Sequence, residues 1–103
     1  PDPDAQAGIA LVSLYARAIA ADPATVLAAA ATSTDLDAQL AAADVEALGG
    51  QWSAAFERLI AVVRATSGDD RERARARLLD LFRIAGDEPA VQPARVALSN
   101  ALF

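Results

Sequence analysis

The chain has 103 residues, 54% of them hydrophobic, and its 9 basic and 14 acidic residues give a formal net charge of −5. This length suffices for one domain with a single hydrophobic core. Cysteine and histidine are absent, which excludes a disulfide scaffold, an iron–sulfur cluster, a zinc finger and a Cys–His or Ser–His catalytic pair within this chain. The negative net charge argues against general binding to nucleic acid or to anionic membranes.

The N-terminal half predicts three helices. Residues 8–21 are apolar on nearly all sides, which indicates burial between neighbouring elements. Asp22-Pro23 supplies an N-cap followed by proline at the first helical position, so a second helix is predicted over 23–32. A third, over 35–48, follows a cluster of capping residues and ends before Gly49-Gly50.

The C-terminal half predicts three more helices, each with apolar residues recurring about every 3.6 positions. They cover residues 51–66, 70–85 and 89–102, and Pro93 favours a start of the last one nearer Val91. No segment alternates with a period of two, so strands are not expected. Connections of two to four residues predict that consecutive helices are antiparallel neighbours.

Residues 35–66 also carry the small and large residues of a tetratricopeptide repeat. Small residues are predicted where the two paired helices touch, a glycine lies in the turn, and two large residues fill the space beside the contact. These helix-pair packing residues are Ala43, Gly50, Trp52, Ala55 and Leu59. Residues 15–23 resemble the end of another such repeat. The predicted fold is therefore all-α, with antiparallel helix pairs stacked as a short degenerate tetratricopeptide-repeat superhelix.

The order of these pieces over residues 35–103 resembles one family in particular. Leu48 to Ile60 is followed by Arg77-Leu78-Leu79-Asp80-Leu81-Phe82, then by Gly86-Asp87 and a closing Leu98 to Phe103. This combination resembles the C-terminal tetratricopeptide-repeat domain of the YbbN-like thioredoxin-family co-chaperones, or chaperedoxins.

The resemblance implies a domain organisation. Residues 1–103 are expected to form a single helical-repeat domain, in which 35–103 is the best-matching region and 1–34 supplies more weakly marked N-terminal helices. The chain begins Pro1-Asp2-Pro3 and contains no methionine, so we expect a piece of a longer protein. The resemblance places a thioredoxin-like domain upstream of it.

The resemblance further implies a protein–protein interaction module of a cytoplasmic bacterial co-chaperone. Its partners would be unfolded or oxidised client proteins and the chaperonin, bound on the concave surface of the stacked pairs and on the C-terminal helix. The positions that match the family's docking element are Arg95, Leu98, Leu102 and Phe103. A terminal Leu102-Phe103 has no following repeat to cover it, so it either folds back as a cap or stays an exposed apolar edge.

Other features predict ordinary structural roles. The arginines between 71 and 77 are interpreted as a solvated helix face with weak ion pairs, and paired acids such as Asp69-Asp70 as helix caps. We therefore predict no enzyme activity and no catalytic, cofactor-binding or metal-binding residue, and no nucleic-acid or membrane partner. Two alternatives remain open: a structural or dimerisation domain that uses the small residues Ala41 to Ala43, and the helical-repeat segment of a bacterial regulator.

Overall fold

The computed structural model describes residues 2–103; Pro1, the first residue of the predicted domain, lies outside the described residues. Over this range the chain folds into six α-helices and contains no strand, which confirms the all-α prediction. The helices are α1 (Pro3–Ala18), α2 (Pro23–Ala31), α3 (Leu36–Leu48), α4 (Trp52–Ala65), α5 (Gly68–Ala85) and α6 (Val91–Leu102).

The helix ends follow local capping. α1 begins five residues earlier than predicted because Asp2 caps it, accepting the backbone N–H of Asp4 at 3.3 Å, with Pro3 at the first helical position. Asp22 caps α2 in the same way through the N–H of Thr25, at 3.1 Å. α6 begins at Val91, so Pro93 lies in the first turn, where its missing N–H leaves no bond unmade.

The turn between α3 and α4 requires the glycine at position 50. The N–H of Gly50 donates to Ala47 and that of Gln51 to Glu46, at 3.0 and 2.8 Å, which closes a Schellman motif. Gly50 has a φ of +79°, in the left-handed region that a side chain makes costly. This turn brings α4 back along α3.

α4 is the central helix of the domain. It packs against α3, α5 and α6, whereas α1 packs on both α3 and α5, and α2 packs on α3. The pair α3–α4 therefore forms as predicted. The expectation of antiparallel neighbours does not hold for α1 and α2, because the chain bends by 84° between them and α2 turns onto α3 instead. It does not hold for α5 and α6 either, because α6 packs on α4.

The hydrophobic core contains residues of α1, α3, α4, α5 and α6, and α2 contributes none to it. Phe56 of α4 meets Phe82 of α5 edge to face, with ring centroids 4.9 Å apart and an interplanar angle of 70°. The half-buried Trp52 lies tilted beside Phe56, at 5.9 Å. Of the predicted packing residues, Ala43, Ala55 and Leu59 are fully buried in this core, and small side chains there let the helices approach closely.

Across residues 2–103, no single helix is long and apolar enough to span a membrane; α1 and α2 reach that length and apolarity only as a bent pair.

Candidate protein-interaction site

A buried carboxylate joins three helices at the face formed by α1, α3 and α5. Asp44 of α3 is only 2% exposed. Arg17 of α1 donates to both of its oxygens, from Nε at 2.9 Å and from Nη2 at 3.1 Å. Arg77 of α5 donates from Nη1 to Oδ2 at 2.6 Å. We call Arg17, Asp44 and Arg77 the charged centre.

The charged centre holds one negative and two positive groups, so it carries an excess positive charge. Burial lowers the pKa of Arg77, because it disfavours the charged guanidinium, while the nearby Asp44 acts in the opposite direction and Arg17 adds to the lowering. Since both guanidinium groups keep only part of their hydration, each depends on the Asp44 carboxylate. The centre therefore fixes α1 against α3 and α5.

The helices around the charged centre lie close together. The cavity between them has a volume of about 160 Å³, below the several hundred Å³ of a typical ligand pocket. Arg73 and Asp37 form an exposed ion pair at its rim, with a distance of 2.7 Å between Nη2 and Oδ1. This face therefore does not provide the wide concave surface that the sequence predicted for client polypeptides.

A larger concavity lies on the other side of α3. It has a volume of about 590 Å³, and we call it the α4 cleft. Its wall includes Arg58, which donates to Glu46 at 2.8 and 3.3 Å and to the side-chain oxygen of Gln39 at 2.8 Å. Gln39 in turn donates to the backbone carbonyls of Ala30 and Ser33. The lining residues are Ser33, Thr34, Gln39, Glu46, Ala54, Glu57, Arg58, Ala61, Val62, Ala65 and Thr66.

The α4 cleft thus combines a fixed polar wall with small apolar side chains. The bonds from Arg58 and Gln39 hold the polar groups in one arrangement, and Ala61 and Val62 leave room beside them. Such a mixture suits side chains of an extended or helical peptide. None of these residues was predicted to bind a partner.

The structure separates the four residues predicted to bind a partner. Leu98 is 6% exposed and packs in the core, which corrects its predicted place on a binding surface. Leu102 is half-buried against the same core, and Arg95 is exposed, with its guanidinium carbon 4.9 Å from the centre of the Phe82 ring. Phe103 is fully exposed.

A neighbouring residue completes an exposed strip that the prediction missed. Val96 is 60% exposed and shares one side of α6 with Ser99. Phe103, the C-cap residue, follows at i+7 from Val96, and its N–H donates to the Ser99 carbonyl at 3.1 Å. We call these three residues the outer face of α6. The sequence did contain a signal for this: the residue two helical turns, or seven positions, before Phe103 is Val96 and not Leu98.

The arginines between 71 and 77 do not form one solvated face. Arg73 pairs with Asp37 of α3, Arg75 with Glu72, and Arg77 enters the charged centre. Arg71 donates to the backbone carbonyl of Thr66 at 3.2 Å. The interpretation as a solvated surface was therefore wrong for Arg77, whose side chain is 19% exposed.

The small residues considered for dimerisation lie inside the domain. Ala42 and Ala43 have no exposed surface, and Ala41 is half-buried. Ala42 and Ala43 are therefore not available to a symmetric partner.

Comparison with curated proteins gives relatives in mycobacteria. The uncharacterized proteins Rv1324 and MT1366 of Mycobacterium tuberculosis and Mb1359 of Mycobacterium bovis are each 46% identical to the chain over 101 residues. The match covers 97% of this chain and 33% of each relative, so the chain spans about a third of the length of the curated relatives it matches. No solved structure matches the chain.

A family model described as tetratricopeptide repeat matches residues 16–103, which include most of the domain and all of α2 to α6. Repeats of this kind generally mediate protein–protein interaction. Together with the all-helical fold and the packing of α3 on α4, this match shows that the chain belongs to the tetratricopeptide repeat family.

Proposed function

We propose that this domain is the protein-binding part of a cytoplasmic, thioredoxin-like co-chaperone that binds unfolded or oxidised client polypeptides and docks on the chaperonin. The proposal rests on the outer face of α6, where Phe103 is fully exposed and Val96 is 60% exposed. The order of residues over 35–103, which resembles the chaperedoxins, supports the choice of partners.

α6 presents this face from a rigid base. Its opposite side is anchored on the core through Val91, Ala94 and Leu98, all of them buried. Because the helix is already ordered, the backbone at Val96 loses little conformational freedom when a partner covers it. An exposed aromatic beside an aliphatic residue is a typical anchor for a pocket on a partner protein.

We expect replacement of Phe103 and Val96 to abolish docking without unfolding the domain. In the full-length protein, Phe103→Ala combined with Val96→Ser should weaken chaperonin binding at least about tenfold, because the apolar anchors are lost. Unfolding should change by no more than about 0.5 kcal/mol, since both residues are exposed. Pull-down or light scattering with purified chaperonin measures the first effect, and urea denaturation measures the second.

Gln92→Ala is the matched control, since Gln92 is exposed on the same helix and lies one turn from Val96. Unchanged chaperonin binding by the double variant, or no binding by the unmodified full-length protein, would contradict docking through α6.

Client polypeptides are assigned to the α4 cleft, the larger of the two concavities described. Ala61→Glu places a carboxylate in this cleft near Glu57, so we expect the full-length variant to lose suppression of aggregation of an unfolding client. Light scattering of the client with and without the protein measures the effect. Ala76→Glu, at an exposed position of α5, is the matched control. Equal suppression by both variants would remove the cleft from the proposal.

A further inference from the structure

The exposed side of α1 is apolar. Ile9 and Val12 are each 69% exposed and Ile19 is 78% exposed, although each is a large aliphatic residue. The opposite side of the helix packs on α3 and α5 through Ala10, Leu14 and Ala18. α1 therefore carries apolar residues on both sides, and only one side is covered within residues 2–103.

Three of the polar side chains of α1 are half-buried. Beyond Asp4, the polar side chains of the helix are Gln6, Ser13 and Arg17, all half-buried, and Tyr15, which carries a phenol hydroxyl and is 51% exposed. The exposed side between positions 5 and 19 contains no charged residue. We call the stripe formed by Ala5, Gly8, Ile9, Val12, Ala16 and Ile19 the outer face of α1; the exposed residues Leu11 and Tyr15 lie along one edge of it. A helix side that faces water normally has the reverse composition.

The composition of this face suits a second helix. Residues 5, 9, 12, 16 and 19 follow alternating steps of four and three, which is the spacing of a continuous stripe on a helix. Small residues at 5, 8 and 16 allow a neighbouring backbone to approach, and Val12 and Ile19 supply the apolar area. The space beside Gly8 is open, with no atom within 4 Å of where a Cβ would lie.

We propose that a helix of the same polypeptide, outside residues 1–103, packs on the outer face of α1 and continues the helical array. A repeat buries its apolar faces by stacking on a neighbouring repeat, and among residues 2–103 α1 has neighbours on one side only. The curated relatives are about three times as long as the matched segment, so polypeptide is available in proteins of this type to supply the missing element.

The position of the family match agrees with this assignment. The match begins at residue 16, so most of α1 lies before the matched repeats. The last turn of the same helix belongs to them. A lipid surface fits less well, because helices that lie on anionic membranes carry lysine or arginine beside the apolar side. Here Asp2, Asp4 and Asp22 flank the face, and the single arginine of α1 is bound to Asp44.

Thiol protection in the full-length protein tests the proposal. This chain has no cysteine, so Val12→Cys and Ile19→Cys each introduce one identifiable site in the domain. Alkylation by iodoacetamide, followed by peptide mass spectrometry, should be at least about tenfold slower at these sites than at Ala76→Cys, which is exposed on α5. In urea the three rates should become equal. Native rates at Val12→Cys and Ile19→Cys equal to that of the control would overturn the proposal.

The identity of the covering element is decided by cross-linking. A benzophenone maleimide attached at Ile19→Cys should join a peptide of the same polypeptide outside residues 1–103. Protection that disappears on dilution, with cross-links between two copies, would assign the face to a dimer and overturn the proposal. Protection that requires an added unfolded client would overturn it as well. Neither chaperonin binding nor aggregation suppression enters this test, so its outcome is independent of the proposed function.

Discussion

Replacing Asp44 by asparagine is expected to lower the free energy of unfolding by about 3–5 kcal/mol. Asparagine keeps the size of the side chain and one acceptor oxygen but removes the charge that Arg17 and Arg77 share. Both guanidinium groups then remain partly buried next to each other without a counter-charge, and their mutual repulsion is no longer offset. Urea denaturation followed by circular dichroism measures the loss.

The matched control is Asp37→Asn, which removes the ion pair with Arg73 at the rim of the same cavity. Asp37 and Arg73 have side chains that are 75% and 53% exposed, so water replaces the lost contact and the expected change is below about 1 kcal/mol. Equal effects of the two substitutions would show that the charged centre contributes no more than a surface ion pair.

A third variant separates the charge from the packing. Replacing Arg17, Asp44 and Arg77 together by Leu, Leu and Met removes the charges and fills similar volumes with apolar groups. Buried ion networks replaced in this way often leave stability unchanged or raise it. We expect the triple variant to be more stable than Asp44→Asn, because no unpaired charge stays behind.

Replacing Phe56 by alanine is expected to cost about 3–5 kcal/mol, since the ring is buried and the surrounding helices close the resulting space only in part. Phe56 is 1% exposed and lies between Trp52 and Phe82, so the substitution removes two aromatic contacts as well as apolar area. The near-ultraviolet circular dichroism of Trp52 should weaken along with the fall in the denaturation midpoint.

Phe103→Ala controls for the loss of an aromatic residue as such. Phe103 is fully exposed, so the free energy of unfolding should stay within about 0.5 kcal/mol of the unmodified protein. A small effect at Phe56 would mean that the contact between α4 and α5 is not the main support of the core.

Much of the fold follows from local sequence. The stripe that contains Phe56 and Leu59 predicted the buried side of α4, and Gly50 marked the turn because few other residues adopt its backbone conformation. These predictions succeeded because the periodicity and the turn chemistry are properties of adjacent residues.

Contacts between distant segments were not predictable in the same way. The 84° bend between α1 and α2 depends on where α3 lies, and nothing in the residues of the connection specifies it. The charged centre joins residues 27 and 33 positions apart in sequence. One sign was available, since Asp44 lies four residues after Leu40 on an otherwise apolar stripe and a charge there indicates a buried partner.

The packing of α1 on both α3 and α5 restricts how the length of this array can change. In an open solenoid each repeat touches only its neighbours, so a duplicated or deleted repeat in the middle leaves every other contact in place. Here an inserted helix pair between α3 and α5 would move Arg77 away from Arg17 and leave Asp44 with a single partner. Insertion or deletion of a helix pair within this segment is therefore expected to break the charged centre, so α1 to α5 pack as one unit.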